Sequence, residues 1–349
     1  MKAFYFKHNL EFKIPGKTSR NVLIEKPSWF LVIENENKIG IGECSVIPGL
    51  SLDNTKNINL KLKQVCEKIS SGKTIEDIEI EDYPAIKFAL ETALRDLNYF
   101  NEPFKLFDSS FSNFNDNIQI NGLVWMGDIE YMETQIINKI NDGFNCIKIK
   151  VGALDFESEL EMIKKIRKKY METDLEIRLD ANGAFEKNNA LEKLKRLSDF
   201  SIHSLEQPIK PNQWQEMAKL CQTSPIPIAL DEELIKVSEK DILLETINPQ
   251  FLIIKPSLLG GIEESNRWVD LAEKRNIKWW ATSALESNVG LNVISQWVYT
   301  KGNNMRQGLG TGMLFKNNIN SPLEIHRDTI FLNRNKKWDL NFFLNKIDR

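Results

Sequence analysis

Charged residues end a series of short apolar, strand-like runs along the middle of the chain, at nearly constant spacing. They are Lys150, Asp180, Glu206, Asp231, Lys255 and Glu286. The shortest step is 24 residues, from Asp231 to Lys255, and the longest is 31 residues, from Lys255 to Glu286. Steps of this length fit one strand, one helix and two loops. Because parallel strands end at a common edge, the pattern predicts a barrel with its chemistry on one rim.

The order of elements predicts three regions. Residues 1–116 contain strands followed by helices and are predicted to form an α+β domain. Residues 117–315 alternate strand and helix with about eight strands, which favours a closed (β/α)₈-type barrel in an α/β fold. Residues 316–349 return to a strand-like pattern and are predicted to rejoin the first domain. A length of 349 residues agrees with one large domain and a smaller one.

The composition excludes several function classes. Forty-six Lys and Arg face 49 Asp and Glu, and the net charge of −3 offers no bulk attraction for nucleic acid or an anionic membrane. The first residues lack the apolar segment of a signal peptide, and no run approaches the ~18 residues of a membrane span. The four cysteines form no CxxC pair, so reduced thiols are predicted. We therefore predict a cytoplasmic protein.

Three carboxylates follow three successive predicted strands: Asp180, Glu206 and Asp231. Each alone is typical of a loop-capping acid. Together they would repel one another without a cation, and carboxylate oxygens are the ligands that Mg²⁺ prefers. The absence of His and Cys at these positions disfavours zinc. A site for Mg²⁺, with Mn²⁺ as a substitute, is predicted.

Lysines flank the carboxylates in sequence. Lys148 and Lys150 share one face of a strand, where burial and a neighbouring like charge would favour the neutral amine that a base requires. A solvated pair on an edge strand remains the alternative. Lys255 ends a later strand. Taken alone it could be a Schiff-base nucleophile, but the three neighbouring carboxylates decide against that role and favour a cationic partner of a metal site. Glu286 either hydrogen-bonds a lysine or a loop, or belongs to a helix cap.

The motifs KIK, DAN, EQP, DEE and KPS, in this order and at these spacings, resemble the enolase superfamily in the branch of muconate-lactonising enzymes. The resemblance spans essentially the whole chain. It implies an enolase-like (β/α)₇β barrel under an α+β capping domain. It also implies Lys150 as the base, Lys255 as the opposite acid/base or cationic group, and Mg²⁺ at the three carboxylates.

Within this branch, the segments IPGKTSR, GIGECSVIPGLS, INGLVWMG and TSALESNVGLNVISQW resemble the o-succinylbenzoate synthase family. This implies a carboxylate substrate, 2-succinyl-6-hydroxy-2,4-cyclohexadiene-1-carboxylate, dehydrated in menaquinone biosynthesis through a metal-stabilised enediolate. It also implies that loops around residues 16–20 and 47–51 cover the barrel mouth. The implied substrate contacts are Lys148, Asn182, Ser283, Glu286 and, for the succinyl carboxylate, Arg20.

Other functions remain open at this point. An N-succinylamino acid racemase or a dipeptide epimerase would use the same two lysines on opposite faces of a substrate. Dipeptide epimerases of this branch carry Asp-x-Asp at the eighth strand, where this chain has GLGTG. A non-catalytic binding barrel is the remote alternative. The sequence leaves a homo-oligomer open.

Overall fold

The computed structural model describes residues 1–17, 22–36, 38–53, 55–99 and 102–347. Arg20 and its predicted contact lie outside the described residues. The strands are β1 Lys2–Lys17, β2 Val22–Asn35, β3 Lys38–Ser45, β4 Asn117–Gln119, β5 Gly122–Val124, β6 Cys146–Lys150, β7 Glu176–Asp180, β8 Ser204–Glu206, β9 Ile228–Leu230, β10 Phe251–Ile254, β11 Lys278–Ala281, β12 Leu323–His326 and β13 Thr329–Leu332. The helices are α1 Ile58–Ser70, α2 Pro84–Tyr99, α3 Ile129–Asn141, α4 Phe156–Lys169, α5 Ala190–Ser198, α6 Trp214–Thr223, α7 Lys240–Ile247, α8 Pro256–Leu259, α9 Ile262–Lys274, α10 Asn288–Thr300 and α11 Asn341–Ile347.

The cap is built on the antiparallel sheet β1-β2-β3. Alternate residues of β2 serve two cores because both faces of this sheet are covered. Trp29 and Leu31 pack in a cluster with residues of α1 and α2, whereas Phe30 packs against Phe343 of α11 with ring centroids 5.3 Å apart. Helix α2 lies so close to β3 that a Cβ added at Gly42 would be 1.9 Å from the backbone oxygen of Ala89.

Asp96 ties α2 to the rest of the cap. Its carboxylate accepts hydrogen bonds from Ile41 N at 3.0 Å and from Phe104 N at 2.6 Å. Burial raises the pKa of Asp96 from 3.8 to about 7, although both backbone hydrogen bonds oppose the change. The folded protein therefore holds a proton between these pH values that the unfolded chain has lost.

Because of this proton, we expect the free energy of unfolding to fall as the pH rises from about 4 to about 7. Asp96 contributes up to about 1.4 kcal/mol per pH unit to this fall. Above pH 7 both states are ionised and this contribution stays constant. The Asp96→Asn variant should lose this component, which denaturant unfolding of both proteins from pH 4.5 to 7.5 would measure. Equal pH dependence of the two unfolding free energies would contradict the assignment.

The predicted barrel is confirmed as a curled parallel sheet. Within the described residues its seven strands run in the order β5 to β11, each strand beside its predecessor. The predicted eighth strand, MRQGLG, is reduced to two bridges: Gln307 pairs with Ile120, and Gly308 pairs with Thr282. These two residues link the first and last strands, so the sheet closes with very little eighth strand.

The segment IQING does not form one barrel strand as predicted. Its first part is β4, which leaves the barrel and pairs antiparallel with β13, while β5 begins two residues after Ile120 and is the first barrel strand. The tail after residue 315 was predicted to return to the cap. It contacts the cap and also packs against the barrel. Its hairpin β12-β13 joins β4, whereas α11, Trp338 and Lys316 contact the cap.

The cysteines and the helices agree with the composition. All four cysteines are free and buried, as expected of reduced thiols. Across the described part of the chain, no helix has the length and apolar character needed to cross a bilayer.

Candidate active site

A cavity of about 970 Å³, including open space at its mouth, lies at the carboxyl ends of the barrel strands. Its walls include the candidate residues Lys148, Lys150, Asp180, Asn182, Asp231, Lys255 and Ser283. Cap residues Leu23, Ile47 and Leu50 also line it. Four of the six charged residues that predicted the rim therefore line one cavity, and the 47–51 loop forms part of its wall.

The three candidate metal ligands stand side by side because their strands are adjacent. Lys150 is paired with Asp180 and Asp180 with Glu206 in the sheet register, and Asp231 follows β9 directly. Asp180 and Glu206 are each 1% exposed and Asp231 is 3% exposed. The site is therefore a dense group of buried acids.

Lysine side chains contact each of these acids. Lys148 Nζ lies 3.0 Å from both Asp180 Oδ2 and Glu206 Oε2, Lys150 Nζ lies 2.9 Å from Asp180 Oδ2, and Lys255 Nζ bonds Asp231 Oδ2. Burial alone would lower the pKa of Lys148 and of Lys255, but the attraction of the nearby carboxylates raises both above the ordinary lysine value.

This charge pattern bears on the expected protonation of Lys148 and Lys255. Lys148 was expected to share the tendency toward a neutral amine, and its raised pKa instead keeps it cationic. For Lys255, the role of Schiff-base nucleophile, which requires a neutral amine, was already disfavoured by the three neighbouring carboxylates. Its raised pKa favours the alternative role of a cationic group.

The same carboxylates are the candidate ligands of a divalent ion. Burial and repulsion from Asp180 raise the pKa of Glu206 to about 8, which shows how much this site needs positive charge. Among the residues that the structure describes, no group of three His, Cys, Asp or Glu side chains is arranged to hold an ion. The ammonium group of Lys148 contacts two of the acids instead. The hard oxygen donors fit Mg²⁺ in their chemistry, with lysine now supplying the positive charge.

Asn182, predicted as a substrate contact, lines the cavity, but its amide already has protein partners. Its Oδ1 accepts from Lys150 Nζ and its Nδ2 donates to Glu232 Oε1. Glu232 was not predicted as a site residue, although it follows Asp231 in the DEE motif. The only sequence signal for Glu232 was a second acid next to Asp231, and acids are common in turns.

Glu286 lies behind the cavity wall rather than at its surface. It is fully buried and accepts hydrogen bonds from Ser257 Oγ at 2.5 Å and Ser283 Oγ at 2.6 Å. Ser283 reaches the cavity, and its hydroxyl also accepts from Thr311 Oγ1 at 2.6 Å. Of the two open interpretations, Glu286 bonds a loop, while Ser287 and not Glu286 provides the side-chain cap of α10.

Lys26 and Glu43 of the cap extend this polar cluster, and the sequence did not single them out. Lys26 Nζ donates to Ser45 Oγ at 2.5 Å and lies 3.8 Å from Glu43 Oε1. Glu43 accepts from Ser287 N at 2.9 Å and from Gly290 N at 3.0 Å at the start of α10. A buried ion pair of the cap thus fixes the barrel loop that ends at α10.

The fold agrees with comparisons to known proteins. Residues 132–333 match the family described as "Enolase C-terminal domain-like". A dipeptide epimerase from Cytophaga hutchinsonii, solved with Mg and D-Ala-L-Val, superposes with a TM-score of 0.84 at 21% identity, covering 98% of this chain and 97% of that one. The chain belongs to this enolase-like family, as its motifs predicted.

A closer relationship is shown by two comparisons. The o-succinylbenzoate synthase of Desulfotalea psychrophila is 42% identical over 93% of this chain and 97% of its own length. The crystal structure of MenC from the same organism superposes with a TM-score of 0.83 at 39% identity, covering 95% of this chain and 99% of that one. Within the enolase-like family, the chain belongs to the o-succinylbenzoate synthases.

Proposed function

We propose that this protein dehydrates 2-succinyl-6-hydroxy-2,4-cyclohexadiene-1-carboxylate to 2-succinylbenzoate, a step of menaquinone biosynthesis. The observation that carries the proposal is one cavity holding Lys150, Lys255 and a row of buried acids in a chain 42% identical to an o-succinylbenzoate synthase. The two lysines come from β6 and the end of β10, which are separated by three strands of the sheet. A substrate between them therefore meets nitrogen groups from two sides.

Lys150 is the proposed base. As a neutral amine it takes the proton from C1, the carbon that bears the ring carboxylate, and the C–H electron pair moves into the carboxylate as an enediolate. The resulting ammonium group then gives a proton to the hydroxyl at C6 as the C–O bond breaks. The products are water and an aromatic ring, and Lys150 returns to the neutral amine. One residue thus serves both proton transfers, which places them on the same face.

Positive charge stabilises the developing negative charge on the substrate. Lys255 remains cationic beside Asp231 and is the proposed partner of the carboxylate from the opposite side. Mg²⁺ held by Asp180, Glu206 and Asp231 would polarise the carboxylate and so make the neighbouring C–H bond more acidic. Electrostatic stabilisation of this kind is usually the largest contribution to catalysis.

The cavity also suits the ring. Apolar walls come from Leu23, Ile47, Leu123, Trp125 and Leu285. These side chains exclude water from the reacting carbon and strengthen the interactions of the charged groups inside. The Arg20 contact, the cytoplasmic location and the homo-oligomer stay predictions.

The test supplies the cyclohexadiene carboxylate to protein loaded with Mg²⁺ and follows loss of diene absorbance. We expect turnover that a chelator abolishes and that excess Mg²⁺, or Mn²⁺, restores. No turnover by the metal-loaded protein would refute the proposed reaction. Turnover that a chelator does not affect would refute the metal assignment but not the proposed reaction.

A second activity, racemisation of N-succinylamino acids, is favoured by one observation: two lysines reach the cavity from separate strands, as proton exchange on two faces requires. Dipeptides are less suitable because the stretch near Gly308 and Gly310 offers no acid to hold a substrate ammonium group. Deuterium exchange into the α-position of N-succinylamino acids in heavy water would measure this activity. If the wild type exchanges no faster than a Lys255→Ala variant, racemisation is excluded.

A further inference from the structure

The amide of Asn182 connects the proposed base to a carboxylate that the reaction steps above do not use. Asn182 Oδ1 accepts a hydrogen bond from Lys150 Nζ at 2.6 Å, and Asn182 Nδ2 donates to Glu232 Oε1 at 3.0 Å. The backbone N–H of Asn182 donates to Asp180 Oδ1 at 3.0 Å. Its φ of 44° is a left-handed conformation that asparagine tolerates better than most residues. Backbone and side chain are thus both fixed beside the base.

Glu232 determines which way the amide faces. An ionised carboxylate only accepts hydrogen bonds, so it selects the NH₂ end of Asn182 and turns the carbonyl oxygen toward Lys150. The reversed amide would place two acceptors together at Glu232 and two donors together at Lys150. Glu232 is 6% exposed, so water has little access to relieve either mismatch.

The hydrogen bonds of Lys150 fix the direction of its remaining tetrahedral position. A neutral amine has two N–H bonds and one lone pair. Asp180 Oδ2 at 2.9 Å and Asn182 Oδ1 at 2.6 Å provide an acceptor for each N–H bond. The lone pair then occupies the direction that neither acceptor takes, and Lys150 lines the cavity.

We infer that Asn182 and Glu232 are positioning residues that aim the lone pair of Lys150 at the substrate. The inference rests on the proposed dehydration. The proton taken from C1 enters the aimed position as the third N–H bond. The same bond is then directed at the C6 hydroxyl, so one orientation serves removal and return of the proton. The relay Glu232–Asn182–Lys150 thereby keeps both transfers on one face.

The experiment compares Asn182→Asp, Glu232→Gln and the double variant. Asn182→Asp sets two carboxylates against each other, and Glu232→Gln lets the amide face either way. The double variant restores one donor and one acceptor at each contact and keeps the total charge, because the introduced glutamine can donate to the introduced aspartate, which still accepts from Lys150. Steady-state rates are measured with ordinary substrate and with substrate deuterated at C1.

We expect Asn182→Asp to lower kcat by roughly 10- to 100-fold, because a small misplacement of a reacting group has effects of this size. KM should change little, and the C1 isotope effect should rise as proton transfer becomes slower. The double variant should recover at least about tenfold of that loss, since contacting residues are energetically coupled. Asn113→Asp is the matched control and should leave the isotope effect unchanged, because Asn113 accepts from Lys105 Nζ and donates to Asp108 Oδ1, each at 2.8 Å, outside the cavity.

Two results would overturn the inference. One is a double variant whose kcat is reduced by the product of the two single-variant reductions, as expected of residues that act independently. The other is a loss confined to KM or to the melting temperature, with an unchanged isotope effect. Both require an active wild-type enzyme, so they differ from failure of the proposed reaction, in which the wild type itself shows no turnover.

Discussion

Replacement of Lys150 by alanine is expected to lower kcat by roughly 10²–10⁴-fold, the range that a positioned proton-transfer group contributes. The effect should lie at the upper end because Lys150 is proposed to act in two successive transfers. Lys148 does not replace it: its ammonium group is held between Asp180 and Glu206, and its pKa is raised. Deuterium exchange at C1 should disappear together with product formation.

Lys164→Ala is the matched control, because Lys164 is an exposed lysine of α4 paired with Glu161 at 3.0 Å. It should retain wild-type kinetics. The melting temperature of Lys150→Ala should be measured as well, since the change also removes a hydrogen-bond donor from Asp180. A folded Lys150→Ala protein with kcat within tenfold of the wild type would contradict the assignment of the base.

Replacement of Lys26 by methionine is expected to lower the free energy of unfolding by about 3 kcal/mol, within the 3–5 kcal/mol found when one partner of a buried pair is removed. Lys26 and Glu43 are both fully buried. The change leaves the Glu43 carboxylate without this counter-ion. The lower end of the range is expected because burial lowers the pKa of Lys26, although Glu43 and Glu286 oppose that shift.

Urea unfolding of Lys26→Met and of Lys26→Met/Glu43→Gln would test this prediction. The double variant removes both charges, so it should recover part of the lost stability. If Lys26→Met unfolds within about 0.5 kcal/mol of the wild type, the pair contributes no more than an ordinary surface substitution. Because Glu43 binds the start of α10, the single variant should also weaken the loop that carries Ser283.

The spacing of charged residues predicted the rim of the barrel well, for a local reason. Five of the six charges end or directly follow a strand, whereas Glu286 lies five residues beyond β11. Parallel strands place such strand-ending residues along one edge. The positions of Lys150, Asp180 and Glu206 depend only on that rule and on neighbouring strands being consecutive in sequence. Short-range patterns are therefore sufficient for this part of the site.

Contacts between distant segments were not predictable in the same way. Glu43 meets Ser287 across 244 residues of sequence, and although both residues lie in segments that carried the family resemblance, neither segment indicates that it contacts the other. β4 resembled a barrel strand because its pattern does not reveal that β13 is its partner. The contact of Asn182 with Glu232 depends on the side-chain directions of two loops. Such features follow from tertiary packing rather than from local periodicity.

The pairing of β4 with β13 has a consequence for the order in which the chain is made. Gln119 leaves the ribosome more than two hundred residues before its partner Thr329. Until then, β4 presents unpaired backbone groups, which are a template for joining other chains. A nascent protein that stalls before β12 is therefore expected to be prone to aggregation. The tail hairpin completes the molecule by removing that exposed edge.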